Sequence, residues 1–199
     1  MGLVTRGFRG RGRPDAALPP GQYLVTDFPV LSAGPTPRVS LDDWRLTIST
    51  VAGPLRSWTW TDFQAIGHES LTQDLHCVTK WSKLGTRWGG VSLDTLLADV
   101  DTGSAQYVLA SSYGGYTTDI PLADLRGGRA WIVDTYDGGP VAGEHGGPAR
   151  LLVPHLYLWK SAKWVRDLRL LDEDEPGFWE SLGYHRYGDP WREQRYWGD

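Results

Sequence analysis

Large apolar and polar side chains alternate along WRLTI, residues 44 to 48, which predicts a strand with one buried face. The next pair, Gly53-Pro54, predicts a turn. Thr59 or Thr61 can then cap a short helix running through Phe63 and Ile66. LTQDLHCV, residues 71 to 78, reads as a strand that enters a loop at its end. Ser92 is placed to cap a helix over LDTLLADV, with Asp94 in the first turn and Leu93, Leu96 and Leu97 on one face. Further strands are expected at 106–110, 116–122, 130–136, 150–153 and 164–171. Gly114-Gly115 turns the chain between two of them, and Asp137-Gly138-Gly139 forms a hairpin. Asp172 to Glu175 is an acidic surface run. Many short strands with two or three short helices, and no internal repeat, predict a strand-rich α+β fold in one domain.

Two segments lie outside this periodic pattern. Residues 18 to 39 hold five prolines among aromatic residues, so they should lie over the domain as extended chain. Residues 1 to 17 carry four arginines with no acid before Asp15, and they are expected to be a disordered basic arm ahead of a domain at 18–199. No apolar stretch and small-residue cleavage site follows that arm, so it does not read as a secretion signal.

With 199 residues the chain can bury a sizeable core without covalent staples, and its net charge of −4 gives no reason to expect nucleic acid as the partner. No apolar run reaches the roughly 18 residues of a membrane span. One cysteine cannot make an internal disulfide, and the expected location is the cytoplasm. The 11 tryptophans and 9 tyrosines, against 4 phenylalanines, suggest aromatic side chains around loops and clefts.

The lone cysteine, Cys77, is the first candidate for chemistry. It can be a small buried core residue. Against that, Lys80, Lys83 and Arg87 follow within ten residues, and positive charge favours a reactive thiolate. A zinc site needs several ligands at short spacing, whereas His76 and Cys77 are neighbours that point to opposite faces of a strand. A Cys-His hydrolase has candidate bases in His145 and His155, but no nucleophile elbow surrounds the thiol. A non-catalytic, tryptophan-rich binding module is a further alternative. The remaining option is one soft thiolate on a metal whose other ligands come from an organic cofactor.

Such a cofactor needs a second binding segment, and EHGGPARLLVPHLYLWKSAKWV at 144–165 has the right chemistry. Gly146, Gly147 and Pro148 form a tight loop, Arg150 offers a planar fork, Lys160 and Lys163 add charge, and Ser161 has a hydroxyl. His145, Gly146, Pro148, Arg150, Val153, Pro154, Ser161, Lys163 and Trp164 together follow the pattern HGxPxR, a strand ending in VP, then SxKW. With WGGVSLDTLL after Cys77 and GYTTDIPL at 115–122, the chain resembles the sulfite oxidase family of molybdopterin-dependent oxidoreductases. The likeness spans roughly residues 20 to 199 and extends to GFWESLGYHRYGDPW, which resembles small bacterial members.

The resemblance implies the molybdopterin-binding fold, molybdenum bound by a pyranopterin, and two-electron oxygen-atom transfer on a small sulfite- or sulfoxide-like substrate. It makes Cys77 the protein ligand of molybdenum. His145, Arg150, Ser161, Ala162 and Lys163 become cofactor-binding residues, with Ser112, Asp27 and Phe28 added from neighbouring segments. Tryptophans 81, 88, 159 and 164 would keep water from the metal. Larger members carry a second domain or a haem domain, so a separate electron-transfer partner is implied. Members that oxidise sulfite surround the metal with arginines, unlike VTKWSKLGTRW here. Periplasmic members that reduce methionine sulfoxide carry Asn where His145 stands.

Overall fold

The computed structural model of the protein describes residues 17–199. The basic arm expected at the amino terminus lies almost wholly outside the described residues.

Two sheets and a few short helices make up one strand-rich domain. The first sheet contains β1 (Tyr23–Leu24), β4 (Glu69–His76), β5 (Trp81–Ser92), β8 (Trp131–Tyr136), β9 (Gly139–Pro140) and β10 (Arg150–Leu152). The twelve-residue β5 is its spine: β4 runs antiparallel along it, while β1 pairs parallel at its start and β8 antiparallel at its end. The second sheet runs in the order β3 (Gly53–Thr59), β2 (Arg45–Thr50), β11 (Val165–Leu171), β6 (Tyr107–Ser112) and β7 (Thr117–Pro121). Among the described residues no helix is long and apolar enough to cross a membrane.

Both helix caps form as their sequences dictate. Thr59 closes a capping box with Asp62 at the start of α1 (Trp60–Gln64). The Ser92 hydroxyl accepts from the Asp94 amide at the start of α2 (Leu93–Leu97), and Leu93, Leu96 and Leu97 are buried. The turn expected at Gly53-Pro54 instead falls at Val51-Ala52, and Gly53 and Pro54 open β3. Pro54 is tolerated because β3 is an edge strand, with no ladder partner on its outer side.

The largest departure from the sequence pattern is β5, whose glycines and cations read as loop. Gly90 explains the composition. A Cβ there would meet the Val133 Cα at 2.6 Å and collide with the Ile132 carbonyl on the paired strand, so only glycine lets β8 come this close.

Successive residues of β8 feed two separate cores. Ile132 joins the larger cluster, built from both sheets around Trp44, Leu46, Ile48, Phe63 and Leu168. Trp131 and Val133 join a smaller one with Leu75, Trp88, Val141 and Leu152, against which Phe28 packs. The first sheet is therefore covered on both faces, and the proline-rich segment after β1 forms part of its outer cover.

Candidate active site

A cavity of about 370 Å³ opens where five stretches meet: 28–35, the turn after β4, 114–116, 145–164 and 178–184. Cys77 sits at the end of β4, in the tight turn that leads to β5. Its amide donates to the Trp81 carbonyl at 2.9 Å, and its carbonyl accepts from the Lys80 amide at 3.0 Å. Gln22 Nε2 also donates to that carbonyl, at 3.1 Å. The thiol lines the cavity and is 7% exposed. His76 turns the other way, into a 2.8 Å contact with the Ser82 hydroxyl, as adjacent residues on a strand must.

Burial pushes the Cys77 thiol pKa up, and a 3.1 Å hydrogen bond from the Thr79 hydroxyl, local backbone amides and the Lys163 charge oppose the shift. The cations that follow Cys77 in the sequence do not supply that charge. Lys80 is exposed, Lys83 Nζ donates to the Thr26 carbonyl at 2.6 Å, and Arg87 pairs with Asp137. Sequence proximity pointed to the wrong cations: it is Lys163, 86 residues on, that acts on the thiol.

The second segment contributes two cations with no carboxylate partner among the described residues. Arg150 is 2% exposed; its Nη1 donates to the His145 carbonyl and its Nη2 to the Ser161 carbonyl, both at 2.9 Å. Burial pulls its pKa down to about 10. Lys163 Nζ donates to the carbonyls of Leu31 at 2.8 Å and Glu144 at 2.7 Å, and to the Ser32 hydroxyl at 3.1 Å. Burial, with the Arg150 charge, lowers its pKa to about 8. His145 stacks on Phe28 with ring centres 4.1 Å apart, and its buried Nδ1 has no partner. Burial, Lys163 and Arg150 all favour the neutral imidazole. The Ser161 hydroxyl accepts from the Val153 amide at 2.9 Å, which leaves its own proton to donate.

Six of the candidate residues thus share one cavity: Phe28, Cys77, His145, Arg150, Ser161 and Lys163. Three others lie outside its lining. Asp27 is exposed on the surface side of Phe28. Ser112 is buried behind the Gly114–Tyr116 turn with its hydroxyl unpartnered. Ala162 is a core residue whose carbonyl accepts from the Leu151 amide. Lys160 is excluded by a different partner set, being fully buried against Asp119 and Glu180. Trp81, Trp159 and Trp164 line the cavity, whereas Trp88 packs beneath it against Phe28 and Tyr136. Thr79, the 29–35 strap and the aromatic stretch from Phe178 to Tyr184 also line it. Sequence reading gave these no role in the site, although aromatic residues set between glycines in a polar tail, as in GFWESLGY, were a usable signal.

The donor set fits an anionic organic cofactor that brings most of its own metal ligands. One thiol, two cations lacking counter-charge and an imidazole nitrogen without a partner converge on the cavity. Among the described residues no three His, Cys, Asp or Glu side chains cluster to hold a metal by themselves. Fold and site therefore define a cofactor-dependent oxidoreductase centre. Residues 33–179 match the model of the oxidoreductase molybdopterin binding domain, and the chain belongs to that family. Its cofactor is molybdenum bound by molybdopterin.

Over 181 residues the chain is 37% identical to the uncharacterized oxidoreductase YuiH of Bacillus subtilis, covering 90% of this chain and 91% of that one. It is 28% identical over 154 residues to the putative protein-methionine-sulfoxide reductase subunit YedZ1 of Azospira oryzae, covering 75% of this chain and 57% of the relative. It is also 28% identical over 133 residues to the protein-methionine-sulfoxide reductase catalytic subunit MsrP of Gluconobacter oxydans, with 57% and 42% coverage. The crystal structure of the sulfane dehydrogenase SoxCD from Paracoccus pantotrophus shares the fold. Its TM-score is 0.61 at 23% identity, over 69% of this chain and 40% of that one.

Proposed function

We propose that this oxidoreductase moves an oxygen atom to or from the sulfur of a small substrate, at a molybdenum whose protein ligand is Cys77. One observation carries the reading: a lone buried thiol and two cations without carboxylate partners, from segments far apart in sequence, line the same cavity. Likeness to two proteins named as protein-methionine-sulfoxide reductase subunits supports sulfur as the reacting atom. When bound, the cofactor supplies the two-electron redox change and the oxo group.

The residues of the chain prepare the site for that chemistry. Cys77 must give up its proton to bind a metal, and its burial makes the bare thiolate costly; metal binding offsets that cost and releases the proton. The Thr79 hydroxyl donates to the sulfur and restrains its direction. Arg150 and Lys163 provide the charge that a buried phosphate requires, held in place by loop carbonyls. Neutral His145 offers a ring nitrogen to the heterocycle, and Ser161 offers its hydroxyl proton. Trp81, Trp159 and Trp164 exclude water from this side of the cavity. The electrons come from or go to a separate carrier. A thiol hydrolase is disfavoured, because the hydrogen-bond partner of the thiol is Thr79, not a histidine, and burial raises its pKa.

Elemental mass spectrometry of protein from a molybdopterin-producing host tests this directly. Wild type should carry close to one molybdenum per chain, and Cys77→Ser should lose it or alter its spectrum while keeping the thermal transition of the cofactor-free wild type. A folded wild type without molybdenum would remove the assignment of the site.

A further inference from the structure

The cavity has a second side, lined by residues outside the proposed cofactor-binding set. Gly177 brings the carboxy-terminal segment against β7: a Cβ there would lie 2.5 Å from the Thr118 Cα and 2.6 Å from the Thr117 carbonyl oxygen. The Phe178 amide donates to that carbonyl at 2.9 Å. Two residues on, the fully buried Glu180 carboxylate accepts from Lys160 at 2.6 Å, from Thr118 at 2.8 Å and from the Trp159 indole at 3.0 Å. This clamp holds Phe178, Trp179 and Tyr184 as a fixed aromatic face. Trp179 lies 4.9 Å from both neighbouring rings, and Tyr116 backs Phe178 at 6.0 Å. These rings are not core. Phe178 is 38% exposed, and Trp179 and Tyr184 are half-buried where they line the cavity.

Charge is distributed unevenly between the two sides. Among the described residues, Arg150 and Lys163 are the charged side chains of the lining, and both belong to the 145–164 segment. The aromatic side has no cation to balance an oxyanion such as sulfite. It instead presents flat apolar surface in the same cavity as the Cys77 thiol.

We infer that Trp179, supported by Phe178 and Tyr184, is a specificity-determining wall selecting an uncharged organic S-oxide with a flat apolar substituent. The inference rests on the oxygen-transfer reading and names its substrate class. In the reductive direction the balance is R(CH3)S=O + 2e⁻ + 2H⁺ → R(CH3)S + H2O. The S=O bond breaks, sulfur is reduced, and a reduced viologen dye can supply the electrons.

Two measurements on molybdenum-loaded protein test it, with Trp179→Ala and Trp179→Phe compared to wild type at equal metal content and thermal transition. The first is kcat/KM for methyl phenyl sulfoxide and for dimethyl sulfoxide. Wild type should favour the aryl substrate, the preference should fall about five- to tenfold in Trp179→Ala, and phenylalanine should restore much of it. The second is calorimetric binding of methyl phenyl sulfone, a non-reacting analogue, which should weaken by a similar factor in Trp179→Ala. Equal slowing of both sulfoxides, unchanged sulfone affinity, or sulfite as the better substrate would each overturn the wall. Trp179-dependent sulfone binding with neither reduction of any S-oxide nor oxidation of any thioether or sulfite would support the wall and reject the oxygen-transfer reading.

Discussion

Arg150→Met separates what the guanidinium does for the fold from what it does for the cofactor. In the cofactor-free protein the substitution has two opposing effects. It removes the donors from the His145 and Ser161 carbonyls, at about 1–3 kcal/mol for each oxygen left unsatisfied. It also removes a buried cation with no counter-charge. The fall of its pKa to about 10 corresponds to about 3 kcal/mol of penalty on the charged form. The two oppose each other, so cofactor-free stability should change by anything from about 1 kcal/mol of gain to about 3 kcal/mol of loss. In the loaded protein a charge-assisted contact to the cofactor, worth about 1.5–3 kcal/mol, is lost as well. For a chain of this size that difference is about 3–12 °C in the extra thermal stability conferred by the cofactor. Calorimetric scans of loaded and cofactor-free forms of wild type and variant measure it. A loaded-minus-free difference equal to that of wild type would refute the placement of Arg150 at the cofactor, whatever happened to the cofactor-free form.

Two further predictions follow from charges near the cavity. Lys163 has its pKa lowered to about 8, so it is charged below that value and neutral above it. A bound anion favours the charged form, so pyrophosphate affinity of the cofactor-free protein should be highest below pH 8 and fall as pH rises through 8. A flat affinity from pH 7 to 9.5 would remove Lys163 from the anion site. Lys160→Met strands Asp119 and Glu180 as buried carboxylates and should destabilise by about 3–5 kcal/mol in urea denaturation. Adding Glu180→Gln to that variant should recover part of the loss; no recovery would show that the ion pair is not what holds the aromatic segment.

Local sequence determined much of this protein. The caps at Thr59 and Ser92 act within three residues, so they follow from side-chain chemistry alone. Alternation in WRLTI, and the apolar run of β8 buried on both faces, likewise specify strands without knowledge of their partners. The cysteine motif and the 145–164 motif identified the family because the chemistry of cofactor binding demands particular residue types at fixed spacing.

Tertiary structure decided what depends on contacts between distant segments. Gly90 looks like a loop residue until the β8 backbone is seen against it. Lys80, Lys83, Lys160 and Lys163 are the same residue type in the sequence, yet of the four only Lys163 lines the cavity, with a charge not matched by a carboxylate among the described residues. Asp27 and Phe28 are adjacent, but the bend at Thr26-Asp27 leaves one at the surface and brings the other onto His145. The aromatic wall depends on Gly177 and on a buried carboxylate meeting Lys160 from another part of the chain. A residue's type fixes what it can bind, but which residues share a cavity is fixed by packing between segments, and that physical fact lies beyond any local pattern.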